Sequence, residues 1–137
     1  MSIRFDPNNN MIKLCMMGMS METNGQPEDA AALFRQAWDE AADDYERFIA
    51  AYHLSRLQKS KRDSLHWLQT SLRCAQNIND DDVKSAYTAL YAKIAECFEA
   101  IGDTKRAKEY EELSNAYRGA STDSGPFYHG TKADLQA

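Results

Sequence analysis

Three sets of residues in this chain repeat one spacing: Gly18, Ala30 and Ala37; Tyr52, Ser64 and Ser71; Ala95, Ala107 and Ser114, each set stepping 12 and then 7 residues. Eight of the nine are Gly, Ala or Ser. Where two helices of a hairpin cross closely, a large side chain at the contact forces the axes apart, so a recurring small residue marks a recurring close crossing. The sets are offset by 34 and then 43 residues, so the chain reads as a helical hairpin written three times.

Helix start and stop signals fall where that reading needs them. Asn8, Asn9 and Asn10 offer caps to a first helix that runs to about Met21 and is ended by Thr23-Asn24-Gly25. Pro27 suits the first position of a second helix to about Ala41, with Glu28 and Asp29 complementing its dipole. Asp43 with Glu46, Ser60 with Asp63, and Asn79 with Asp82 each have the spacing of a capping box. They open a third helix to about Leu57, a fourth to about Gln76, and a fifth closed by Gly102. Asp103 caps a sixth, which Gly119 stops. Six helices on short turns are antiparallel neighbours. Tyr52 stands where a small residue is expected, which predicts a splayed or shifted second hairpin. The nine extra residues around Asn77–Lys84 predict a longer fourth or fifth helix, or a longer turn between them.

A 34-residue helix–turn–helix period resembles the tetratricopeptide repeat. The likeness extends to Leu14, Met17, Met21 and Phe34 in the first unit, Phe48, Ala51 and Leu68 in the second, and Tyr91, Ile94, Phe98 and the Gly102-Asp103 turn in the third. It implies an all-α fold, a right-handed stack of three hairpins over residues 1–118 followed by a non-helical tail. It also implies a groove for a protein or peptide. The family's carboxylate clamp would fall on Cys15, Met19, Ala50, Ala89 and Lys93, of which Lys93 alone has suitable chemistry. Met17 and Met21, one turn apart, read as core; Met16 and Met19 lie off that face and, with His53 and Lys93, are the groove candidates. Trp38 and Trp67 read as packing residues, and His53 and His66 as surface or groove residues.

Composition narrows the function classes. A net charge of −5 argues against generic nucleic-acid binding. The charge is polarised: Glu22–Glu46 holds eight acids and Arg35 as its one base until Arg47, whereas Arg56–Arg73 is mainly basic, either as two solvated faces or as a weakly basic patch for an acidic partner. Cys15, Cys74 and Cys97 lack metal spacing and read as free thiols of a cytoplasmic protein. Neither a signal peptide nor a membrane span is indicated. No nucleophile or acid–base pair stands out in residues 1–118, so neither enzyme activity nor a metal or cofactor is expected of this chain; a homodimer stays open.

Residues 119–124 read as a linker of turn formers, and 125–137 as the truncated start of another domain. Pro126–His129 has the look of a short strand, and Thr131 with Asp134 of another cap. The string Gly-Pro-Phe-Tyr-His-Gly-Thr-Lys-Ala-Asp-Leu resembles the opening of the small bacterial NAD-dependent rifamycin ADP-ribosyltransferases. That resemblance implies that His129 would hydrogen-bond a ribose hydroxyl of NAD and that the Gly130 backbone would lie against the nicotinamide carboxamide. A dozen residues cannot enclose a dinucleotide. The expectation is therefore an accessory domain from a parent transferase, inactive alone, as a truncated product or degenerate reading frame. The alternative is a standalone interaction module with a disordered or docking tail.

Overall fold

A computed structural model describes residues 8–120; the expected strand, the NAD-contacting His129 and Gly130, and most of the expected linker lie outside them. The described residues form seven helices: α1 (Asn10–Thr23), α2 (Pro27–Glu40), α3 (Asp44–Ser55), α4 (Lys61–Gln76), α5 (Asp81–Lys84), α6 (Tyr87–Ala100) and α7 (Thr104–Ala120). No strand occurs among them, and the architecture is all-α. The chain divides after Cys74 into two compact units.

In the first unit the expected punctuation has clear atomic form. The Asn9 carboxamide oxygen accepts from Ile12 N at 3.1 Å and caps α1. At the other end Gly25 takes φ +77°, Gln26 N reaches Met21 O at 2.8 Å and Gly25 N reaches Glu22 O at 3.0 Å. These two bonds close a Schellman turn, whose left-handed residue favours glycine. Asp43 caps α3 by accepting from Glu46 N at 2.9 Å. The return arm of this box differs from the simple pattern: Glu46 accepts from Ala42 N at 2.9 Å with one oxygen and from Asn9 Nδ2 at 2.9 Å with the other. One carboxylate therefore links the starts of α1 and α3. Ser60 accepts from Asp63 N at 3.1 Å at the start of α4.

The small residues sit at close crossings. A Cβ placed on Gly18 would meet the Phe34 ring at 2.6 to 2.9 Å, inside any tolerable contact. Ala30, Phe34 and Ala37 of α2 are fully buried. In the second hairpin Ser71, also fully buried, donates to Phe48 O at 2.9 Å. The hydroxyl thus finds an acceptor on the facing helix, as a buried polar group must. The hairpin is closely packed at that point even though Tyr52 is large.

In the second unit the same device recurs, with Ser114 donating to Thr88 O at 2.9 Å between α7 and α6. Gly102 repeats the Schellman turn at φ +89°, with Asp103 N bonded to Phe98 O at 2.9 Å. Asp103 then caps α7 through Arg106 N at 3.1 Å. Leu90, Ile94 and Val83 are almost wholly buried. An aromatic row runs between the two long helices, from Tyr87–Tyr117 at 5.2 Å through Tyr91–Tyr110 at 5.9 Å to Phe98–Tyr110 at 5.5 Å.

Two expectations fail here. The fifth helix is not continuous from an Asn79 cap: Asp80 is the cap, accepting from Asp82 N at 2.8 Å, and α5 lasts one turn. Ser85 then donates its hydroxyl back to Asp82 O at 2.7 Å, while Ala86 N bonds Val83 O, three residues back. A serine that bonds the preceding turn competes with the regular ladder, and the helix restarts at Tyr87. The extra residues thus form a turn and a short separate helix, because α4 ends at Gln76. Gly119 does not stop the last helix, which runs to Ala120. Glycine costs about 1 kcal/mol in a helix relative to alanine, a penalty but not a barrier.

Candidate interaction surface

The exposed side of α1 carries three methionines, with Lys13, Ser20 and Thr23 exposed among them. Successive helical residues turn by about 100°, so Met19 lies about 60° to one side of Met16 and Met17 about 100° to the other. All three face solvent, at 56% (Met16), 50% (Met17) and 48% (Met19) exposure. Met16 and Met19 are thus where the pattern placed them. Met17 is not a core residue, and Met21 is half-buried. The buried stripe of α1 is Met11, Ile12, Leu14, Cys15 and Gly18, and Met17 falls outside that arc. Met17 was read from its place in the repeat, and that place is buried only where another helix covers that flank.

On α3 the groove candidate His53 is held on two sides. Its ring stacks on Phe34 of α2 at 4.6 Å and 6° between planes. Its Nδ1 lies 2.7 Å from Arg56 Nη2. A guanidinium can only donate, so Nδ1 accepts and the proton of the neutral ring sits on Nε2. Burial pushes the His53 pKa down to about 4; the Arg56 charge pushes the same way, and Glu22 opposes both. Arg56 is itself fixed by Glu22 of α1 through two parallel bonds of 2.8 and 2.9 Å. Its guanidinium carbon lies 5.9 Å above the Phe34 ring.

Glu22 and Arg56 are 34 residues apart, one repeat step. Equivalent positions of successive repeats become neighbours, so opposite charges one step apart were a readable signal. The Phe34–His53 stack had no comparable one.

The clamp positions give no anion site. Cys15 and Ala50 are buried, and burial pushes the Cys15 thiol up to about 11, with the Glu46 charge adding to it. Its Sγ approaches Met11 Sδ at 3.5 Å. Ala89 and Lys93 are half-buried on α6 in the second unit. Among the described residues no group of His, Cys, Asp and Glu could hold a metal ion. No described helix is long and apolar enough to cross a membrane.

Elsewhere in the first unit Trp38 and Trp67 meet edge to face at 5.1 Å and are half-buried, consistent with packing. His66 is exposed beside Trp67.

The chain is similar to the crystal structure of the TPR domain of Arabidopsis FLU, with a TM-score of 0.67 and 21% identity over 81% of this chain and 96% of that one. The fold is tetratricopeptide-like. No family model matches the sequence, and no curated protein matches it.

Proposed function

We propose that the chain is a protein-interaction module that holds a peptide segment of a partner on the α1–α3 side of its first unit. The observation that carries this reading is the solvent-facing cluster of Met16, Met17 and Met19 on α1. Methionine is flexible and polarisable, and surfaces rich in it adapt to varied apolar ligands. Beside it, the Glu22–Arg56–His53 chain fixes three polar groups in one geometry. Met16 and Met19 would supply contact area and His53 a directional polar contact; Lys93, on α6 of the second unit, is a candidate by its repeat position alone. No NAD or other cofactor takes part.

The test is affinity capture with the full chain. The reading expects a specific protein that is recovered by wild type, lost with Met16→Asp/Met19→Asp, and kept when residues 121–137 are removed. A captured protein indifferent to the methionines would refute it.

We further propose that the parent protein continues into a rifamycin-type ADP-ribosyltransferase, with this module as its accessory domain. Support comes from the string at residues 125–136 alone. Reading the codons that follow Ala137 tests it. An authentic stop codon with no transferase sequence downstream would remove the parent enzyme and leave a standalone module.

A further inference from the structure

The outer stripe of α4 runs against the acidic balance of the chain. Arg62, His66 and Arg73 are spaced four and seven residues apart, which keeps them within about 40° around the helix and spreads them over about 16 Å of its length. All three are exposed, as are Lys59 and Lys61 at its start. No ion pair engages Lys59, Lys61, Arg62 or Arg73 among the described residues. Arg73 donates to the Thr70 hydroxyl at 3.3 Å. Asp63, about 60° to one side, is the stripe's acidic neighbour on its own helix.

The stripe has an aromatic border. The half-buried Trp67 has the guanidinium of Arg35 at 5.6 Å above its ring, and His66 at 5.4 Å against it. Trp38 backs it from α2 at 5.1 Å. Trp67 packs on Trp38 yet is only half-buried, so part of it and the exposed Arg35 are accessible beside the cations. Tryptophan and arginine are the residues most enriched where binding energy concentrates.

We infer that the α4 stripe and the Arg35–Trp67 edge form a second docking surface, for a short acidic peptide segment of a protein partner that carries an apolar side chain. The cations would steer and register the acidic residues, and Trp67 would take the apolar one. Nucleic acid fits less well. It demands many phosphate contacts, and the stripe offers few cations on a chain of net charge −5.

A dye-labelled twelve-residue peptide of Glu and Ala with one central Leu is the probe, titrated into the full chain at low salt and read by anisotropy. The expected result is saturable binding that weakens roughly tenfold or more with Arg62→Gln/Arg73→Gln. It should stay within about twofold for the charge-keeping Arg62→Lys/Arg73→Lys and for Lys105→Gln/Lys108→Gln, which removes two cations from the second unit. Circular dichroism checks that each variant is folded. Absence of saturation overturns the inference, as does an equal loss in the Lys105/Lys108 control. So does equal affinity for a twelve-nucleotide oligouridine, or stripe-dependent self-association, seen by light scattering, that accounts for the signal.

Discussion

His53 gives the account its most quantitative handle. The folded chain holds this imidazole neutral, stacked on Phe34 and accepting from Arg56, so that its pKa falls from 6.5 to about 4, chiefly by burial. The unfolded chain takes up a proton through the ordinary histidine range. Between those values the unfolded state binds more protons than the folded one, so stability falls as pH falls. The contribution is fully present above about pH 7 and levels off below the folded value. At about 1.4 kcal/mol per pH unit, the interval from 6.5 to about 4 corresponds to at most about 3 kcal/mol. Roughly 2 kcal/mol of it is already lost at pH 5.

Carboxylates titrate near the lower end of that window, so the quantity to measure is a difference. Urea unfolding of wild type and His53→Gln between pH 7.5 and 5 supplies it, since the variant has no imidazole to protonate. The advantage of wild type over the variant should shrink by about 2 kcal/mol on going to pH 5. Parallel stability curves, agreeing within about 0.5 kcal/mol across the range, would refute the half-buried neutral imidazole. Nitrogen NMR of the ring provides a second check: Nδ1 should be unprotonated and Nε2 should carry the hydrogen.

Other consequences follow from the same contacts. Gly18→Ala should destabilise the chain by roughly 1–3 kcal/mol in chemical denaturation, because its Cβ would lie 2.6 Å from the Phe34 ring. A double-mutant cycle on Glu22→Gln and Arg56→Ala should give a coupling of about 1 kcal/mol that diminishes with salt, the size expected for a bidentate pair with partly exposed side chains. Gly102→Ala should cost about 1 kcal/mol or more in thermal unfolding, since alanine is strained at φ +89° although nothing lies near its Cβ.

Much of the architecture was legible because its determinants are local. Asn9, Asp43, Ser60 and Asp103 each cap the helix they were read as capping, and Gly25 and Gly102 each take the left-handed turn that ends one. The small-residue spacing was readable for the same reason: Gly18, Ala37, Ser71 and Ser114 report the close approach of neighbouring helices. What escaped depends on competition or on distance in sequence. Asn79 and Asp80 were both plausible caps, and a hydroxyl bond from Ser85 decided where the fifth helix would break. Met17 carried the right residue type for a core position but lies outside the buried arc. The polar chain from Glu22 through Arg56 to His53 needed the repeat register before its members could be paired. His129 and Gly130 fall outside the described residues, so the NAD-related expectation rests on their sequence alone.

The central claim is that the methionine-bearing side of α1 is a working surface, and methionine-methyl NMR addresses it most directly. With the captured partner's binding segment added to methyl-labelled chain, the Met16 and Met19 resonances should shift and broaden in proportion to occupancy, while buried Met11 stays unmoved. Binding that leaves Met16 and Met19 unchanged would contradict the account.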